Sequence, residues 1–287
     1  MNFLHSTFTN VLAGNADNKV AIAEKGSINA IVAAMQQHPT HSGVQQHGCG
    51  ALANLACNAD SKMAIAQKGI IDAIMAALQQ HPTHTEVQKQ GCRALVNFAG
   101  IANNQVAIAE KGGIDAIVAA LQQHLTHAGV QERGCMALWN LALKVDKVVI
   151  AQKGGIDAIV ASLQQHPARA GVQEQGCRVL MSLTDNANNR VAIFWKGGID
   201  AIVAALQQCP THAGVQEHRC RALMILATNV DNKVVIAQKG GIIAIVVALQ
   251  QHPTHAGVQE NGCGALMRLS KPTTRWPLPR RVASTQL

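Results

Sequence analysis

The chain reads as an all-α solenoid of about six three-helix repeats, and three observations carry that reading. The dipeptide Gly-Cys ends at Cys49, Cys92, Cys135, Cys177 and Cys263, with Cys220 in the same frame after Arg219. Successive spacings are 43, 43, 42, 43 and 43 residues. A fixed period of this size marks a unit that cannot bury its own apolar face and must stack on its neighbours. Within a unit, Ile114, Ile117, Val118 and Leu121 fall at i, i+3, i+4 and i+7, one helical face, and Val130, Gly134, Leu138 and Leu141 form a second such series. The third observation is punctuation: Lys-Gly closes the first segment of each unit and a polar turn separates the second from the third.

Taken in order, residues 1–14 look like the end of a truncated third helix, since Leu12-Ala13 matches Leu55-Ala56. Its apolar Phe3, Leu4, Phe8, Val11 and Leu12 are then expected to promote self-association through the N-terminal end. The units follow as residues 15–57, 58–100, 101–143, 144–185, 186–228 and 229–270. Each opens with a short helix (NADNKVAIAEKG at 15–26), whose Lys-Gly ending fits the helix dipole and a left-handed cap. A second helix follows (INAIVAAMQQH at 28–38), with Asp72, Asp115, Asp157 and Asp200 in the first turn of later copies. The third is longer (VQQHGCGALANLA at 44–56). The fourth unit lacks one residue near 144–147, which is expected to fall in a connecting loop. Glycine before each cysteine costs about 1 kcal/mol inside a helix relative to alanine, so its recurrence implies close approach of a neighbouring helix. Arg219 breaks that rule, and the expectation there is a local distortion or a side chain reaching to water. The segment 271–287, with three prolines and no helical period, is read as a basic tail, extended or disordered.

The three-helix order, the glycine after the first helix and the closing ALxNLA resemble the armadillo repeat. The likeness covers nearly the whole chain, and implies a right-handed armadillo-type α-solenoid whose third helices line a concave groove.

Composition narrows the function. Hydrophobic residues make up 48% and aromatics 2%, with no tyrosine, so the core is aliphatic and the stacking surfaces used by single-strand nucleic-acid binders are scarce. Of the formal charge of +8, Lys271, Arg275, Arg280 and Arg281 supply four in a tail without acids; the repeats hold the other four over a far longer span. That is a mildly basic scaffold rather than a nucleic-acid footprint. Equivalent cysteines on helices about 8–10 Å apart exceed the roughly 7 Å that a disulfide spans. They are expected to stay reduced and buried, in a cytoplasmic or nuclear setting. No basic flank with an apolar core opens the chain, and the apolar run 242–249 is too short to cross a bilayer, so no membrane partner is expected.

Chemistry is hard to find in the sequence. A His-x-x-His pair recurs at His38/His41, His81/His84, His124/His127 and His252/His255, interrupted by Arg169 and Cys209. Imidazoles ligate metals well, but these sit in the polar turn without an accompanying acid, so no metal site is assigned. No phosphate-cradling loop, HExxH or nucleophile elbow is present; neither an enzyme nor a cofactor is expected.

The armadillo resemblance implies instead that the asparagine of ALxNLA holds the backbone of an extended peptide. Asn54, Asn97 and Asn140 match that position, while Ser182, Ile225 and Arg268 replace it. One turn earlier, where nuclear-import adaptors carry tryptophan, stand Gly50, Arg93, Met136, Arg178, Arg221 and Gly264. The groove resembles the basic one of catenin-type members, which implies an acidic peptide partner. Lys89, Arg93 and Asn97 form a triplet of two cations and an amide, whereas Glu174 precedes Arg178 and Glu217 precedes Arg221 by four residues, a favourable pairing geometry. The expected site is therefore Lys89 and Arg93 with Asn54, Asn97 and Asn140, extended along the groove by Arg178 and Arg221. Contact with nucleic acid, or a structural fragment associating through uncapped ends, are the competing readings.

Overall fold

The computed structural model describes residues 27–56, 69–100 and 102–271. The truncated end, the first helices of the first two units, Cys57 and residues 272–287 lie outside them. Sixteen helices are described. Units 1 and 2 contribute their second and third helices, α1 (Ser27–Gln37), α2 (Ser42–Leu55), α3 (Ile70–Gln80) and α4 (Thr85–Phe98). Units 3 and 4 supply α5 (Ala102–Glu110), α6 (Gly113–Gln123), α7 (Ala128–Leu141), α8 (Lys147–Gln152), α9 (Gly155–Gln165) and α10 (Ala170–Leu183). Units 5 and 6 supply α11 (Ala187–Trp195), α12 (Gly198–Gln208), α13 (Ala213–Leu226), α14 (Val230–Gln238), α15 (Gly241–Gln251) and α16 (Ala256–Ser270).

Successive third helices pack on one another along the length of the stack, and each second helix packs against the third helix of its own unit. One continuous apolar cluster runs from Ile28 to Ala265, mostly Ile, Leu, Val and Ala, as an aromatic-poor sequence requires. The glycines after the first helices adopt left-handed backbone, with φ of 80° at Gly112 and 82° at Gly154, as the Lys-Gly endings predict. Close approach explains the glycine before cysteine: a Cβ on Gly134 would lie 2.7 Å from Leu121 Cδ2 of the second helix in the same unit.

Within each unit a buried glutamine ties the end of the second helix to the third. Gln131 Nε2 donates to Leu121 O at 2.8 Å and His124 O at 2.9 Å, and Gln88, Gln173 and Gln216 repeat the pattern. These carbonyls belong to a helix end, where acceptors outnumber intrahelical donors.

The His-x-x-His pairs divide the work between units. The second histidine caps its own third helix: Nδ1 of His127 accepts from Val130 N at 3.2 Å, and His41, His84, His212 and His255 do the same. The first reaches the preceding unit. Nε2 of His81, His124 and His252 donates to the carbonyls of Pro39, Pro82 and Pro210, each at 2.7 Å. His166 donates to Leu125 O, and Cys209, standing where other units have histidine, points its thiol at Pro167 O. Arg169 makes no side-chain cap, so unit 4 lacks that bond.

A second ladder is electrostatic. The lysine closing one unit's first helix meets the aspartate opening the previous unit's second helix: Lys153–Asp115 at 2.5 Å, Lys196–Asp157 at 2.8 Å, Lys239–Asp200 at 2.9 Å, and Lys111–Asp72. Both residue types read locally as dipole partners; in the stack they also join neighbouring units.

Three expectations are corrected. The missing residue of unit 4 shortens a helix rather than a loop: α8 has 6 residues against 9 in α5, α11 and α14, and begins after an Asp146 cap. Cys263 is exposed, unlike its buried equivalents, because in the described structure no further unit covers α16. Arg219 neither distorts α13 nor reaches water. It is 0% exposed, with Nη2 donating to Gln173 Oε1 at 2.7 Å, Nε to Cys177 Sγ at 3.4 Å, and Nη1 to Ala205 O.

Candidate functional site

The third helices carry the residues singled out for binding, and the first three units bring several of them together. Asn54, Arg93, Asn97 and Asn140 meet across the seams between α2, α4 and α7. Asn97 Nδ2 donates to Ala53 O at 2.7 Å, and Asn140 Nδ2 to Val96 O at 2.9 Å, one unit back in each case. Val96 lies in the last turn of α4, where carbonyls lack intrahelical donors, so this amide ladder joins successive helix ends. Arg93 is half-buried; Nη2 donates to Asn54 Oδ1 and Nη1 to Gln90 Oε1 at 3.3 Å. Among the described residues no carboxylate pairs with it. The guanidinium is therefore positioned by neutral amides and keeps its full charge.

Lys89 differs from expectation. Its triplet contains no acid, but Glu86, three residues earlier and one turn away, pairs with it at 3.2 Å. Lys89 thus brings less net charge to the face than Arg93.

Arg178 lies further along the stack. It stands 3.7 Å from the ring centroid of Trp139 on the preceding third helix and 4.0 Å from Glu174. The ring and the carboxylate both favour the cation. Glu174 is shared, since His212 Nε2 lies 3.9 Å from it. Burial, and then the neighbouring Arg178 charge, hold the His218 imidazole below its ordinary pKa. Arg221 is exposed, and the Glu217–Arg221 pair suggested by spacing is absent among the described residues. Glu217 faces His255, the cap residue of the next third helix, at 4.0 Å instead.

Trp139 escaped the sequence reading. The signal was its place beside Asn140 in ALWNLA, three residues after Met136, but its contact with Arg178 spans two units. Met181 and Met224 occupy the equivalent positions in the next units and are half-buried. The third helices of units 3 to 5 therefore set guanidinium groups beside an indole and thioethers. Among the described residues no three His, Cys, Asp or Glu side chains converge as a metal site would require, and no single helix is long and apolar enough to cross a membrane.

Comparison with known proteins places this geometry in context. A crystal structure of an engineered protein is 26% identical, with a TM-score of 0.71 over 85% of this chain and 96% of its own. A chain from a structure of the interaction between cadherin and beta-catenin superposes with a TM-score of 0.78 at 18% identity, covering 92% of this chain and 48% of that one. A computationally designed armadillo repeat protein for modular peptide recognition gives 0.71 at 18% identity, over 83% and 98% respectively. The last two likenesses establish the armadillo solenoid fold alone. No curated protein sequence matches. A family profile described as "Protein zer-1 homolog-like, C-terminal domain" matches residues 33–232, well over half of the sequence. The chain is an armadillo-type solenoid and belongs to the zer-1 homolog-like C-terminal domain family.

Proposed function

We propose that the chain is a non-catalytic protein-binding scaffold that takes an extended, acidic peptide along its third-helix face, chiefly over the first three units. The observation that carries this reading is Arg93: a guanidinium fixed by Asn54 and Gln90, with no carboxylate partner among the described residues, offers a preset, uncompensated charge to a ligand. Lys89 and Asn97 stand four residues either side of it on α4, Asn54 and Asn140 on the third helices before and after, and Arg178 and Arg221 extend the basic line toward the later units. The neighbours support binding in general terms, since one comes from a cadherin–beta-catenin structure and another was designed for peptide recognition. Asn97 and Asn140 enter this reading with an amide N–H already engaged on the backbone of the preceding unit, and Asn54 with its oxygen accepting from Arg93. Their part is to hold the helices in register beneath the ligand, and the guanidinium supplies the specific contact.

The described cysteines are all free thiols, which supports a cytoplasmic, or nuclear, location. The test is fluorescence anisotropy of the full chain against labelled extended peptides, acidic, neutral and basic, with a single-stranded oligonucleotide in parallel. Preference for the acidic peptide, lost on Arg93→Glu, is the expected result. Tighter binding of the oligonucleotide, weakening steeply with salt, overturns it in favour of nucleic acid.

A further inference from the structure

The seams between units are not equally tied, and the links that recur along the stack change character between units 4 and 5. At the two seams before it that join units 1 to 3, an asparagine amide crosses from one third helix to the last, Asn97 to Ala53 O and Asn140 to Val96 O. Ile225 holds that position in unit 5 and has no group to donate. The imidazole that donates to the preceding turn in units 2, 3, 4 and 6 becomes Cys209, a weak donor 3.5 Å from Pro167 O. Lys196–Asp157 and His212–Glu174 also cross this seam, but both are partly exposed, where such pairs contribute little. Asn189 supplies one link of its own, with Nδ2 donating to Lys147 O at 3.1 Å.

Arg219 sets the seam apart. The other five units place glycine there, and parting one of their seams wets mainly apolar side chains and neutral amides. Parting units 4 and 5 also hydrates a fully buried guanidinium, two of whose partners, Gln173 Oε1 and Cys177 Sγ, lie across the seam. No carboxylate among the described residues compensates it. Water rewards a freed charge far more than a freed amide, so opening costs least at this seam. In a stack held by nearest-neighbour interfaces, the weakest one decides where the stack divides. We propose that the seam between α10 and α13 is a hinge, at which units 1–4 and units 5–6 part and reclose as two cooperative segments. Arg178 and Arg221 stand on its two sides, so opening divides the later part of the basic line and leaves Arg93 undisturbed.

The test is native-state hydrogen exchange, read by mass spectrometry on the full chain in low urea. Amides of α12 to α16 should exchange together and faster than those of α6 to α10, with a step at the seam. Fraying from the end of the stack would give a gradient toward α16 instead. Arg219→Gly should slow exchange in units 5 and 6 by about tenfold or more and flatten the step. Cys209→His restores the imidazole of the other units without touching the guanidinium, and should slow the same segment by a smaller factor. Circular dichroism of both variants monitors the fold. Cys177 reports the seam independently. It is fully buried against Arg219, so native-state alkylation, which needs the seam open, should reach it before Cys92 and Cys135. Arg93→Glu should leave the step in place, so failure here and failure of the binding reading are separable. A smooth gradient, a step that survives both seam substitutions, or a Cys177 that reacts no sooner than Cys135 overturns the proposal.

Discussion

Gln173 accepts from Arg219 through the one amide oxygen that its counterparts Gln131 and Gln216 leave without a partner among the described residues. The stack therefore presents an unsatisfied acceptor between units, and unit 5 answers one of these with a guanidinium. The answer is costly in another way, because Arg219 is fully buried and no carboxylate among the described residues neutralises it.

Substituting the two glutamines separates these effects. Gln131→Leu and Gln173→Leu each remove two bonds to second-helix carbonyls, but only Gln173→Leu also strips an acceptor from a buried cation. A hydrogen bond to a charged group contributes about 1.5–3 kcal/mol. Gln173→Leu should thus destabilise by roughly that much more than Gln131→Leu in urea unfolding. Arg219→Gly, which restores the residue of the other five units, should raise the midpoint. Equal midpoints for the two leucine variants, or a fall with Arg219→Gly, would show that the guanidinium is not a strained guest.

The histidine caps give the second prediction. His127→Ala removes the acceptor for Val130 N and should cost about 1 kcal/mol. His127→Asn supplies a side-chain oxygen there and should recover most of it. Equal urea midpoints for His127→Ala and wild type, or no recovery with His127→Asn, would remove the cap from the account.

What the sequence disclosed and what it concealed follow from one physical fact. Helix periods, the Lys-Gly endings and the tight glycine beside Leu121 depend on residues near one another in the chain, and each was legible. The partners that bind units together lie about one period away. Lys153 and Asp115 are read locally as dipole partners, His124 and Pro82 as turn residues and Arg178 as the intrahelical partner of Glu174, and only stacking shows their second role or brings Trp139 to Arg178. Arg219 was misjudged for the same reason, since the oxygen that receives it belongs to the preceding unit. At the candidate site, Arg93 and the asparagines were legible by position, while the engagement of their donors was not.

A third prediction concerns alkaline pH. Burial pushes the thiols of Cys49, Cys92, Cys135 and Cys220 up to about 12. In the unfolded chain a thiol ionises near its ordinary value of about 8.5. The neutral thiol of the fold therefore contributes stability that is present below that value and is lost as pH rises from there toward about 12. Each such thiol removes up to about 1.4 kcal/mol per pH unit. With no tyrosine in the chain, the first part of that decline belongs largely to cysteine. Urea midpoints under reducing conditions should drop between neutral pH and about pH 9.5, and less so for Cys135→Ala. A flat profile would contradict buried neutral thiols. Native-state alkylation should meanwhile reach Cys263 well before the six buried thiols.

The last prediction weighs two arginines on the groove face. Arg93 is held by amides alone, whereas Arg178 shares its charge with Glu174 and lies over the Trp139 ring. An incoming carboxylate meets nearly the whole field of the first and a partly compensated field at the second. Arg93→Glu should therefore weaken an acidic peptide by about tenfold to a hundredfold, or 1.4–2.7 kcal/mol, and Arg178→Glu by distinctly less. Arg93→Lys refines the comparison: it keeps the charge but lacks the planar fork that reaches Asn54 and Gln90, so it should fall between wild type and the reversal. Trp139→Ala frees Arg178 from its stack, and should change binding little if the ligand lies over the first three units. Circular dichroism of each variant guards against loss of fold. Equal losses at Arg93 and Arg178, or no loss at Arg93, would move the ligand away from the first three units.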